Sequence, residues 1–192
     1  MFQPRVKLEF VRRYCPPQSG WTVFVDIDPS EEGRTGGKRT SVAAMGRQVQ
    51  MVEDATNVRE EFNRLKVTVG GNRVEWFKSH RLPRIVGDRD IIAFHLPAKR
   101  CVIAEVEGAS AGQPEQKLYK AIGQIVIAAS SEVPDGWSRS LVLVVHGTEI
   151  AKHLDRANAL KKLSIAALAI GTSECADRWL FGSPVWRKDL LQ

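Results

Sequence analysis

A chain of 192 residues suits one domain with a substantial core and leaves no room for a second of full size. With 28 Lys and Arg against 22 Asp and Glu, its formal charge of +6 attracts polyanions without specifying one. No apolar run is long enough to span a bilayer and the start MFQPRVKLEF lacks a secretory apolar core, so the expectation is a soluble cytoplasmic protein away from membranes.

In chain order, VKLEFV (6–11) and WTVFVDID (21–28) read as two strands separated by the turn-rich RRYCPPQSG, an N-terminal β-hairpin extension of the main sheet. The segment GRTGGKRTSVAAMGR follows, with Arg34, Lys38, Arg39 and Arg47 and no acid. Its glycines fit a loop that lies along a phosphate backbone, though a solvated basic loop gives the same pattern. Residues 1–38 are thus an extension with a basic loop, and 39–192 a single α/β core. Residues 41–65 read as helical. Met45, Val49, Val52 and Ala55 make one apolar stripe and Val58, Phe62 and Leu65 another, which predicts a break near Thr56 and Asn57. KVTVGGNRVEWFK then reads as a hairpin turning at Gly70, Gly71 and Asn72, and a second basic group, Lys78, His80, Arg81 and Arg84, comes after it.

The stretch DIIAFHLPAKRCVIAEVE (90–107) is the most informative. Two apolar runs of strand length, rich in Ile and Val, read as central strands covered on both faces. A two-residue turn at Pro97 and Ala98 pairs Leu96 with Lys99 and sets Asp90 opposite Glu105; a four-residue turn through Arg100 sets it opposite Glu107. Either way Asp90 shares a sheet face with Glu105 and Glu107. Three carboxylates on one face repel one another unless a cation sits among them, and oxygen donors suit Mg2+. Solvated edge charges are the plain alternative, and for Asp88, in GDRD, a turn acid capping backbone amides is the better reading.

After Gly108 and the stretch ASAGQP, EQKLYKAIGQIVIAAS reads as a helix with Leu118, Ile122, Ile125 and Ala129 on one face. SLVLVVHG, TEIAKHLDRANALKK and LSIAALAIG then read as strand, helix and strand, a parallel crossover. The tail from Thr172, with Trp179, Phe181 and Trp186, packs back on the body. The fold class is α/β, a mixed central β-sheet flanked by helices. The three cysteines form no zinc quartet and read as reduced, buried thiols; the four histidines have no metal spacing, and the five tryptophans are scattered anchors.

The order strand, turn, strand, loop, helix, with Asp90, Glu105 and Glu107 at the strand ends and Tyr119 and Gln124 on the helix, resembles the catalytic core of the PD-(D/E)xK nuclease superfamily. The resemblance covers about half the chain and implies a restriction-endonuclease-like core. It implies a metal-dependent endonuclease that hydrolyses phosphodiester bonds of DNA, of restriction or repair type, with Mg2+ or Mn2+ as cofactor. Asp90 and Glu105 would be metal ligands, with the backbone carbonyl of Val106 completing the shell. A glutamate from the preceding helix often assists, and Glu53, Glu60 and Glu61 are the candidates. A compact domain of this type commonly needs a second copy to cut both strands, which suggests a homodimer.

One residue departs from the pattern: where the superfamily carries Lys, this chain has Glu107. Some restriction endonucleases of the superfamily carry Glu there, as a general base or a further metal contact. Alternatively, Lys117 or Lys120 reaches back from the next helix. Two other readings stay open: a catalytically inactive nuclease-like module that binds nucleic acid or a partner protein, and a metal-dependent hydrolase of a smaller phosphorylated substrate.

Overall fold

The computed structural model describes residues 1–27, 42–108, 114–130, 133–146, 154, 159–172 and 176–182. Helix α1 (Gln3–Tyr14) opens the chain, with Pro4 in its first turn where a missing N–H costs nothing and Arg12 and Arg13 in its last. Residues 6–11 therefore lie in a helix. The expected N-terminal β-hairpin is absent, because α1 buries Val6, Leu8, Phe10, Val11 and Tyr14 against the sheet instead of pairing with it.

After a 3-10 turn, Pro17–Ser19, strand β1 (Trp21–Val25) enters the sheet. Helix α2 (Val42–Arg64) runs without the break expected at Thr56 and Asn57. Its buried stripe is Met51, Ala55, Val58 and Phe62, while Met45, Val49 and Val52 are exposed. Starting the stripe at Met51 rather than Val52 keeps one face continuous, so no break is needed. Strand β2 (Thr68–Val69) is short. Gly70 and Gly71 take positive φ and turn the chain, but Asn72 caps a helix rather than closing a hairpin. Its side-chain oxygen accepts from the N–H groups of Val74 and Glu75, and α3 (Arg73–Ser79) follows.

Strands β3 (Ile91–His95) and β4 (Arg100–Glu107) form the expected antiparallel pair. Helix α4 (Pro114–Ala128) leads to β5 (Ser138–Val145), and a helical turn α5 (Ala159–Lys162) leads to β6 (Ile165–Ala169) and β7 (Arg178–Phe181). The seven strands order as β2-β1-β3-β4-β5-β6-β7 in one mixed sheet. β4, β5 and β6 run parallel, as the crossover pattern requires; β1, β3 and β4 alternate, and β7 closes the far edge antiparallel. Trp179 and Phe181 pack back as expected; Trp186, like the basic residues Arg34, Lys38 and Arg39, lies outside the described residues.

Both sheet faces are covered, which is why β4 is buried from Cys101 to Glu107. Val23, Ala93, Val102, Ala104 and Val144 face α1 and α2, and Phe24, Ile92, Ile103 and Leu143 face α3 and α4. Cys15 and Cys101 are free, buried thiols, as expected, and Cys175 lies outside the described residues. Among the described residues no helix is long and apolar enough to cross a membrane.

Gly108 fixes how closely α1 approaches the end of β4. A Cβ there would stand 2.6 Å from the backbone nitrogen of Gln3 and 2.9 Å from the carbonyl carbon of Phe2, and neither can move without moving the helix. We expect Gly108→Ala to destabilise the fold by roughly 1–3 kcal/mol in urea melts, in the range of core overpacking; an unchanged midpoint would mean that α1 is free to shift.

Candidate active site

The β3–β4 register places the acids. Lys99 N–H donates to the Leu96 carbonyl at 3.0 Å, closing the two-residue turn over Pro97 and Ala98. His95 then pairs with Arg100 and Ile91 with Ala104, so the next step sets Asp90 opposite Glu105. On the other side, Val25 pairs with Ile91 and the N–H of Asp26 donates to the Asp90 carbonyl at 2.8 Å. Asp26, Asp90 and Glu105 thus stand in a row across β1, β3 and β4, with Glu107 two residues beyond Glu105 on the same face.

Asp90 is the most firmly held of these. Its Oδ2 accepts from the backbone N–H of Val106 at 2.7 Å, and its Oδ1 lies 2.8 Å from the Nζ of Lys7. Lys7 comes from α1, is fully buried, and donates also to the carbonyl of Asp26 at 2.5 Å. Asp88, an exposed turn acid, pairs with Arg73 at 2.5 Å.

Glu105 is 1% exposed and Glu107 6%. Burial, then the charge and hydrogen bond of Asp90, push the Glu105 carboxyl up to about 9, against the pull of Arg89 and Lys7. Glu105 is therefore mostly protonated at neutral pH. Glu107 is pushed up to about 7, again by burial first; Lys117 opposes this, Asp90 adds to it, and Lys7 and Lys120 oppose it. Asp26 is raised too, by burial, against Lys7 and Arg73. Glu105 Oε1 and Glu107 Oε2 are buried without a hydrogen-bond partner, the nearest cation to the former being Arg89 Nη1 at 3.6 Å. Among the described residues, no group of three or more His, Cys, Asp and Glu side chains is arranged to hold a metal ion.

Of the helix residues expected here, Lys117 and Lys120 act on Glu107, the first half-buried and the second exposed. Gln124 is half-buried on the same stripe of α4 but sits about 10 Å from Lys117 along the axis, at ~1.5 Å per residue. Tyr119 is 62% exposed and faces away from the sheet. The carbonyl of Val106 shares the strand edge of its N–H, beside Asp90. Glu61 is engaged by Arg5 at 2.8 Å and by Arg12, Glu60 pairs with Arg64 at 3.6 Å, and Glu53 is exposed, so α2 contributes none of them to the acid row. Arg47 stacks over Phe2 at the start of α1, 5.9 Å from the ring centre. Lys78 is exposed in the last turn of α3, paired with Glu75 at 3.2 Å, and Arg81 and Arg84 are exposed on the segment that leads from α3 into β3. Among the histidines, His146 is tied by Nδ1 to the Ile170 carbonyl at 3.0 Å and His95 by Nε2 to that of Ser19 at 3.0 Å, both structural.

Two members of the site had no place in the sequence reading, Lys7 and Asp26. Asp26 carries the signal used for the other acids, a carboxyl at the end of an apolar run. Lys7 carries only its position inside another such run.

No protein-family model, curated protein or solved structure matches this chain.

The raised Glu105 carboxyl has a measurable consequence. In the unfolded chain it ionises near 4.5, in the folded one near 9, so between these values the native state holds the extra proton and stability falls as pH climbs. We expect Glu105→Gln to melt close to wild type at pH 5 and several degrees above it at pH 9. Parallel melting curves across that range would show that the carboxyl is not perturbed.

Proposed function

We propose that this chain is a metal-dependent endonuclease that hydrolyses phosphodiester bonds of DNA, of restriction or repair type, built on a restriction-endonuclease-like core. The observation that carries this reading is the alignment of Asp90, Glu105 and Glu107 on one sheet face, with the two glutamate oxygens buried and unpartnered. The order of elements supports it as well: β3, turn, β4 and then α4 follow the order on which the nuclease resemblance rests.

The donor set fits Mg2+ or Mn2+, which are held by one or two carboxylates, water and substrate phosphate rather than by an all-protein cage. Asp90, Glu105 and the Val106 carbonyl would hold the ion, and such an ion polarises a scissile phosphate and lowers the pKa of bound water. Binding would release the Glu105 proton, since the ligand form is the carboxylate. Glu107, ionising near 7, suits a general base at neutral pH. It would take a proton from the attacking water as the water oxygen bonds to phosphorus and the P–O bond to the leaving nucleoside oxygen breaks. Lys117 and Lys120 then stabilise the ionised form of that base. The net charge of +6 and the exposed Lys78, Arg81 and Arg84 suit the flanking phosphates of DNA. A homodimer would supply two such sites, one for each strand.

Supercoiled plasmid tests this directly. We expect nicked and linear products with Mg2+ or Mn2+, none in chelator, and a loss of at least about 100-fold in Glu105→Ala. DNA retained on the protein without cutting would instead favour the catalytically inactive binding module. No binding at low salt would point to a smaller phosphorylated substrate.

A further inference from the structure

We propose that Lys7 is a positioning residue of this site, fixing the Asp90 carboxylate from α1. The inference rests on the nuclease reading above and assigns a role to a residue outside the β3–β4–α4 unit.

Lys7 is fully buried on a helix whose other inward positions, Val6, Leu8, Phe10, Val11 and Tyr14, are apolar or aromatic. An apolar side chain of similar length would pack there without the cost of burying an ammonium. The lysine instead reaches the acid row, where Nζ meets Asp90 Oδ1 at 2.8 Å and the Asp26 carbonyl at 2.5 Å. Together with the Val106 N–H on Oδ2, this fixes both oxygens of the Asp90 carboxylate. A carboxylate accepts about four hydrogen bonds or metal contacts, so Lys7 on one oxygen and the Val106 N–H on the other set its plane, and with the Glu105 hydrogen bond a lone pair is still left for a ligand. Arg89, the other buried cation among the described residues, stands 3.6 Å from Glu105 Oε1, beyond hydrogen-bond reach, and cannot do the same.

Gly108 supports a built arrangement. The backbone of Gln3 comes close enough to it that no side chain fits between α1 and the end of β4, and Lys7 lies one helical turn further on. The helix that carries the ammonium is thereby locked to the strand that carries the acids. Because Lys7 has no exposed surface, it acts on the reaction through Asp90 and does not touch the phosphate.

The test compares plasmid cleavage by wild type, Lys7→Met, Lys7→Arg and the packing control Leu8→Ala, each checked for folding by circular dichroism. We expect Lys7→Met to bind DNA as wild type does and to cut between about 10- and 100-fold more slowly. Leu8→Ala, which loosens the packing of the same helix without touching Asp90, should cut as wild type does, which a packing role for Lys7 would not allow. Wild-type cutting by folded Lys7→Met, or an equal loss in folded Leu8→Ala, overturns the proposal while leaving the nuclease reading intact. Should Lys7→Met not fold, Lys7→Arg decides in its place: it keeps the charge but moves the donor, so a drop of about tenfold supports the role and wild-type cutting overturns it. If wild type itself cuts nothing with Mg2+ or Mn2+, the nuclease reading fails and this role falls with it.

Discussion

Crowded like charge at one end of an otherwise apolar sheet is the constraint that governs this protein. Asp26, Asp90, Glu105 and Glu107 share a sheet face, two of them almost wholly removed from water, with Lys7 and Arg89 as the buried cations. Such an arrangement destabilises the native state unless protons or cations neutralise it. The raised carboxyls of Glu105 and Glu107 are the protons taking that part. The two-sided apolar core supplies the stability that the acid row subtracts, and β4, the most completely buried strand, carries two of the acids. Strain of this kind is expected where a site is organised for a ligand, and less expected of solvated edge charges.

The contrast between Glu105 and Glu107 follows from their neighbours. Both lose water, but Glu105 hydrogen-bonds Asp90, whereas Glu107 has two lysines from α4 nearby. One carboxyl is thus held neutral near pH 7 while the other titrates there. A pair of carboxyls whose surroundings drive them apart is the usual basis for dividing roles between two acids of the same chemical type.

The central hairpin was legible in the sequence because its runs are continuous, its turn is short and its parity is unforgiving; so was the β5–β6 crossover. What escaped had a definite cause. In α1, Val6, Leu8 and Phe10 recur at a spacing of two, which imitates a strand, and burial of so many of the helix's residues blurs its own period of 3.6. Misreading α1 hid Lys7, since a lysine in a strand would have pointed elsewhere. Asp26 was missed because its partner Asp90 is distant in sequence and only the β1–β3 pairing joins them. At residues 70–72 the residue types that close a hairpin are also those that turn a chain and cap a helix, and Asn72 does the latter.

The register of β3 against β4 also guards the folding of this chain against error. Side chains alternate across a strand, so a slip of one residue would drive Glu105 and Glu107 into the apolar layer beneath α1 and α2, and lift Ala104 and Val106 out of it. Two carboxyl groups stranded among Val, Ile and Phe would make that misfolded hairpin too unfavourable to persist. The acids therefore act as proofreaders of their own placement against a slip of one residue between these strands.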